Sequence, residues 1–273
     1  MLLLGCALSL TSCKPKGPED LDRIKEAGKL VVGMECAYAP YNWTTATPSD
    51  TTVPIANNSG SYADGYDVQI AKLIAAELGV ELEILAIEWD GLIPALESGK
   101  IDMIIAGMSP TEERKRSIDF SDVYLYSELV MVVRADGKYA NATNIQDFSG
   151  AKITAQLSTF HYTVISQING VNQHTALENF GALIQSLDAG TIDGYVCEEP
   201  GAMSAVTSNP NFTYIKFAAG NGFDCDPTES SISIGMRKDS SLTDIANKVI
   251  ASIPEAARLA MMAAAIGHQP SGN

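Results

Sequence analysis

GKIDMIIAGMSPTEERKRSIDFSD, residues 99–122, carries the signals that decide the fold. Met103–Ala106 is an apolar run long enough for a buried strand and too short for a helix, and Gly107 ends it. Ser109-Pro110-Thr111-Glu112 then combines three helix-start signals: a Ser at the N-cap, a Pro at the first helical position, and a Glu three residues on to close a capping box. A strand that stops at glycine and turns into a helix leaves backbone N–H groups and a positive dipole end facing outward, which suits an anion. Arg114 lies one turn further in, and its guanidinium can fork onto a carboxylate or phosphate. The expectation is a docking point for a small anion-bearing molecule; a capped helix with a solvated Glu/Arg/Lys face is the ordinary alternative.

Upstream, Leu30–Met34 reads as a strand followed by an aromatic loop, Glu35–Trp43. Asp67–Leu78 carries Val68, Ile70, Ala71, Ile74, Ala75 and Leu78 at near-helical spacing, with Gly79 as its stop. Glu81–Ile87 alternates as a strand, and Leu92–Glu97 is a second helix. Alternating strands and helices imply an α/β fold with a mainly parallel sheet, whose ligands bind beyond the C-terminal strand ends. The loops Glu35–Tyr41, Glu88–Asp90 and Gly107–Ser109 all follow expected strands and therefore converge on one rim.

After an extended apolar segment, Tyr124–Arg134, a second alternation follows: strand Lys152–Gln156, helix His161–Ile168, helix Phe180–Ala189, strand Asp193–Cys197 and helix Pro200–Val206. Its strand-end loops carry Ser158 and Thr159 on one side, Glu198 and Glu199 on the other. Ser231–Met236 is a further strand, and Leu242–Ile253 and Glu255–Ala265 are helical by composition.

The 273 residues carry 33 acidic against 18 basic side chains, a net charge of −15, which argues against nucleic acid or an anionic membrane surface as principal partner. A small ligand is unaffected by that balance, because the distant field is screened over roughly 10 Å. Met1–Leu10 is apolar, and Leu10-Thr11-Ser12-Cys13 ends it. This pattern is similar to a bacterial lipoprotein signal, with 1–12 removed, Cys13 lipidated and 13–28 a linker, although no Lys or Arg precedes the apolar run. The run falls short of the roughly 20 residues that span a bilayer. Cys36, Cys197 and Cys225 then remain and allow at most one bridge; their spacing fits no zinc pattern, so no metal and no cofactor is expected.

GYDVQIAKLIAAELGV (65–80), EWDGLIPALESGKIDMIIAGMSPTEERKRSIDFSD (88–122) and DFSGAKITAQLST (147–159) together resemble the polar amino-acid-binding proteins of bacterial ABC importers, the extracellular solute-binding family 3. The resemblance runs from about Lys29 to Ser240. It implies the two-lobed type II periplasmic-binding-protein fold: two mixed, mainly parallel sheets flanked by helices and joined by two hinge crossovers. Lobe 1 would comprise 29–126 plus 233–273, and lobe 2 127–232. The implied function is capture of a free L-amino acid, polar or cationic, by a monomeric lipid-anchored protein outside the cytoplasm, and its delivery to membrane permease subunits.

The resemblance also implies roles. Arg114 pairs with the ligand carboxylate; Ser109 offers a hydroxyl and N–H beside it, with Met108 adjacent; Gly107 offers a carbonyl to the ammonium. The loop of Ser158, Thr159 and Phe160 supplies the second lobe's carboxylate contact. Glu198 stands where the family usually has an aspartate that binds the ammonium. Tyr38 and Trp89 pack around the ligand side chain, Glu35 meets a polar or cationic tip, and Gln156 and Cys197 flank the site. An enzyme of the cyclohexadienyl-dehydratase kind on the same fold would need a general acid or base there, and no histidine is expected in the pocket. A receptor's sensing module is disfavoured, since no transmembrane helix or signalling domain accompanies the lobes.

Overall fold

The computed structural model of the protein describes residues 19–270. The expected leader 1–12, the lipidation residue Cys13 and the linker up to residue 18 lie outside the described residues, whereas the rest of the expected 13–28 linker is largely helix.

Helix α1 (Glu19–Ala27) leads into β1 (Lys29–Met34), and four short strands follow: β2 (Ala37–Tyr38), β3 (Asn42–Thr45), β4 (Val53–Pro54) and β5 (Tyr62–Asp64). Next come α2 (Tyr66–Leu78), β6 (Glu81–Ala86), α3 (Leu92–Glu97), β7 (Met103–Ile104) and β8 (Ile118–Leu125). The second half contains β9 (Leu129–Arg134), β10 (Lys152–Thr154), α4 (Phe160–Val164), β11 (Asn172–Gln173), α5 (Phe180–Asp188), β12 (Gly194–Glu198), α6 (Glu199–Ser208) and β13 (Phe212–Ile215). The chain then returns through β14 (Ile232–Arg237), α7 (Leu242–Ser252) and α8 (Glu255–His268).

These strands form two five-stranded sheets, β6-β1-β7-β14-β8 and β11-β10-β12-β9-β13, and a small antiparallel sheet, β2-β3-β5-β4. In the first, β6, β1 and β7 run parallel, so the loops that follow them leave the same edge. In the second, β10 and β12 run parallel with the same consequence. The chain passes between the sheets at 126–128 and again at 216–231, and Ser230 Oγ donates to the Ser127 carbonyl, tying the two crossings together. This is the mixed α/β, two-lobed architecture expected. Helix α8 packs on both α2 and α6, and Gln269 at its end donates to the Ser204 carbonyl.

Helix α2 shows how sequence makes an element here. Val68, Ile70, Ala71, Ile74, Ala75 and Leu78 are all buried, and removing that stripe from water supplies most of the helix's stability. Gly79 takes φ +69°, which lets its own N–H and that of Val80 turn back onto the carbonyls of Ala76 and Ala75.

The segment after β7 differs from expectation. No α-helix begins at Ser109; Lys115 N–H reaches the Thr111 carbonyl, and a single 3₁₀ turn, Arg114–Arg116, follows. Thr111 Oγ1, and not the Ser109 hydroxyl, accepts from Arg114 N–H at 3.4 Å, while the Ser109 carbonyl accepts from Arg114 Nη1 at 2.9 Å. Start signals are local, whereas β8 must begin at Ile118 to pair with β14, and that pairing ends the helical geometry after one turn. The dipole part of the expected anion site therefore falls away and the arginine remains.

Beneath this loop Asp67 is fully buried and accepts from the Tyr124 hydroxyl (2.7 Å), Asn42 Nδ2 (2.9 Å) and the Gly107 N–H. Burial pushes its carboxyl up to about 6 despite those donors. One carboxylate thus joins α2, the loop of Gly107 and the last residues of β8. Asp67→Ala should cost about 2–4 kcal/mol in urea unfolding, because three buried donors lose their acceptor; a loss below about 1 kcal/mol would contradict that role.

Candidate functional site

The two parallel strand-end rims face each other and enclose a cavity of about 10 Å³, lined by Tyr38, Trp89, Gly107, Ser109 and Arg114 from the first lobe and Gln156, Thr159, Phe160, His161, Phe180 and Glu198 from the second. A wider chamber of about 640 Å³ adjoins it, sharing Trp89, Arg114, Thr159 and Phe160 and adding Met108, Ser158, Asp90, Glu113, Asp224 and Glu229. Of the residues expected in the site, Met108 and Ser158 thus line only the outer chamber.

Gly107 takes φ +61°, and a Cβ there would meet the Tyr38 and Tyr41 rings at 3.2 Å. Gly201 on α6 lets the same Tyr38 ring approach from the other lobe, since a Cβ would come within 2.9 Å of its hydroxyl. Tyr38 is therefore seated between two glycines and stacks on Phe180, with ring centroids 3.8 Å apart.

Arg114 lies 5.0 Å over the Trp89 ring. Its Nη2 donates to the Ser158 carbonyl at 3.2 Å, and Trp89 Nε1 donates to the same oxygen at 3.3 Å. Ser158 presents that carbonyl from the left-handed region, φ +55°. Burial lowers the guanidinium to about 10, which leaves it charged at neutral pH. Two of its five N–H donors are engaged by the carbonyls of Ser109 and Ser158, so a fork remains for an anion.

Opposite, Glu198 ends β12 and is buried. Its Oε2 accepts from the Tyr38 hydroxyl across the cleft, and its Oε1 lies 2.9 Å from His161 Nε2. Burial alone would raise this carboxyl, yet the His161 imidazole and the Tyr38 hydroxyl hold it below its usual range. The expectation of a pocket without histidine is thus corrected: His161 sits in the first turn of α4, directly behind Thr159, and points at the acid. Phe180 was also not anticipated. Its cue is Asn179, whose side chain caps α5 by accepting from Ala182 N–H and so fixes where the first helical ring projects.

Glu35 does not line the inner cavity. It stands one layer behind, buried, with both oxygens accepting from Gln156 Nε2 at 3.0 and 3.2 Å. Burial pushes its carboxyl up to about 7, against the bond from Gln156. Thr159 Oγ1 donates to the Gln156 carbonyl at 2.7 Å, which closes that loop. Cys36 and Cys197 are buried free thiols, both raised by burial and so poor nucleophiles.

A family model for bacterial extracellular solute-binding proteins, family 3, matches residues 30–265. The chain belongs to that family. Among its relatives is the arginine-binding extracellular protein ArtP of Bacillus subtilis, 26% identical over 92% of this chain and 89% of that protein. A probable histidine-binding protein of Campylobacter jejuni is 29% identical over 81% and 78%. A solved amino acid ABC transporter substrate-binding protein from Streptococcus pneumoniae, bound to L-arginine, superposes with a TM-score of 0.78 at 28% identity, covering 91% of this chain and 98% of that one. Family 3 consists of extracellular binding proteins and not enzymes, and it carries the type II periplasmic-binding-protein fold seen here.

Glu35 supplies a test of the electrostatics. Its folded carboxyl, about 7, is above its ordinary 4.5, so the folded state holds the extra proton and stability falls as pH rises from 4.5 to 7. Glu35→Gln should remove that share of the fall, up to about 3 kcal/mol, in denaturation series across this range. An unchanged profile would show that the side chain is solvated.

Proposed function

We propose that this protein is the extracytoplasmic capture component of an ABC importer for a free amino acid, cationic for preference, which it hands to permease subunits in the membrane. The observation that carries the reading is the opposition of Arg114 and Glu198, one from each sheet's rim, across a single narrow cavity. A zwitterion leaving water needs an opposite, hydrogen-bonded partner at each end, and leaving either end bare costs several kcal/mol. Arg114 takes the carboxylate, with Ser109 and Thr159 beside it; Glu198 and the Gly107 carbonyl take the ammonium. Both contacts exist only with the lobes together, so the ligand stabilises closure by its differential contacts.

Entry requires the Tyr38–Glu198 contact to open and the Tyr38 ring to leave Phe180, which makes room between aromatic walls for the side chain. The cationic preference is supported by Tyr38 and Trp89 as cation–π surfaces. Glu35 reached past Gln156, and the acids Asp90, Glu113, Asp224 and Glu229 around the outer chamber, add to it. The arginine-binding relatives support the same class. We further propose that the lobes divide at 126/127 and 232/233, that the protein acts as a monomer, and that Cys13 carries the acyl chains that hold it at the membrane.

Arg114→Ala should weaken amino-acid binding about 100-fold in calorimetry, equivalent to about 2.7 kcal/mol, with the fold intact. Near-normal affinity would remove the carboxylate role. Cys13→Ser should move the protein from the membrane to the soluble fraction, and unchanged fractionation would refute the anchor.

A further inference from the structure

Trp89 opens a short 3₁₀ turn, Trp89–Gly91, between β6 and α3, where Gly91 N–H donates to the Glu88 carbonyl at 2.8 Å. Its ring packs against the buried cluster of Leu92, Ile104 and Met108 and lines both the inner cavity and the outer chamber. From that seat the indole face covers the Arg114 guanidinium, and the indole Nε1 donates to the same Ser158 carbonyl as Arg114 Nη2. Arg114 Nη1 donates to the Ser109 carbonyl on its own rim. Two hydrogen bonds in the plane of the guanidinium, one from each rim, and one contact on its face thus act on a single planar group. All three partners are uncharged.

We infer that Trp89 is a positioning residue for Arg114: its indole face sets the plane of the guanidinium so that the free N–H groups meet the ligand carboxylate in two-bond register. This role presupposes Arg114 as the carboxylate partner, as in the functional reading above. An arginine side chain is long and samples many rotamers, and fixing it only when the ligand arrives lowers affinity. Hydrogen bonds at Nη1 and Nη2 still let the plane swing about the line through those two atoms. A ring against the face stops that swing, and tryptophan offers the strongest of the aromatic faces for a cation. A forked pair needs both carboxylate oxygens matched at once, so it fails on a tilt that one hydrogen bond would tolerate. Because the ring and the two carbonyls are neutral, they aim the guanidinium without neutralising it, and its charge stays available to the ligand. The shared Ser158 oxygen ties ring and guanidinium to the opposite rim, so the aim is set as the lobes meet. Trp89 thereby acts at the carboxylate end of the ligand, in addition to any contact with its side chain.

The test is a double-mutant cycle, read by calorimetry with the tightest-binding proteinogenic amino acid from a thermal-shift panel that includes L-arginine. Trp89→Leu should weaken binding about tenfold when Arg114 is present and only about twofold in the Arg114→Ala background, where there is nothing left to aim. A general loss of rim structure enters both arms and cancels. Trp89→Phe, which keeps a ring face without the N–H, should recover most of the affinity lost in Trp89→Leu. The decarboxylated amine, which offers Arg114 no partner, should also lose only about twofold on Trp89→Leu. Equal losses in the two Arg114 backgrounds, a Trp89→Phe protein as weak as Trp89→Leu, or an equal loss for the amine and the amino acid would each overturn the inference while leaving amino-acid binding standing. Near-normal affinity in Arg114→Ala alone, or failure of every amino acid to bind, would overturn the functional reading and this inference with it.

Discussion

A carboxylate withdrawn from water at the end of β12 sets the terms for the surrounding structure. Glu198 must be matched by donors or charge, and the molecule draws those from both lobes: the Tyr38 hydroxyl from across the cleft and the His161 imidazole from α4. The Tyr38 ring reaches it only because Gly107 and Gly201 leave space on either side, and Gly107 is itself held by Asp67, which also anchors Tyr124 near the crossing between the lobes. Compensating one buried charge thus joins the binding rim, α2 and the crossing strand in a single hydrogen-bonded chain.

The parallel strands explain why so many polar groups meet in a small space. β6, β1 and β7 deliver Trp89, Glu35 with Tyr38, and Gly107 with Ser109 to one edge, and β10 and β12 deliver Gln156 with Thr159 and Glu198 to the edge opposite. Ridges of backbone carbonyl complete the arrangement, for the Ser158 oxygen receives both Arg114 and Trp89 and so links the rims through main chain. The acids Asp90, Glu113, Asp224 and Glu229 line the outer chamber, beyond this inner pair.

What could be read from sequence follows the range over which each signal acts. The burial stripe of α2 and its Gly79 stop, the strand before Gly107 and the acid at 198 are short-range patterns, and the corresponding elements appear within a few residues of their expected places. The helix expected at Ser109 did not form, because its start signals are outweighed by the pairing of β8 with β14, a contact more than a hundred residues away in sequence. The polar segment Thr44–Ser61 reads as a surface loop or a strand-and-turn excursion, and the second of these holds, but the strands of the small sheet β2-β3-β5-β4 run only two to four residues and leave no periodicity that would place them one by one. His161 and Phe180 escaped for a different reason: each follows a recognisable helix start, yet only tertiary packing turns those first-turn side chains toward Glu198 and Tyr38. Glu35 was legible as an acid near the site, but its place behind Gln156 depends on contacts between lobes.

The central claim is that one ligand is held at both charged ends by opposite lobes. It is tested most directly by calorimetry on the wild-type protein with a tightly bound amino acid, its decarboxylated amine and its deaminated acid in parallel. The expected result is strong binding of the intact amino acid and a loss of about 100-fold or more when either charged group is removed, since each removal leaves a buried partner unpaired. Comparable affinity for the amine or for the acid would contradict the two-ended clamp.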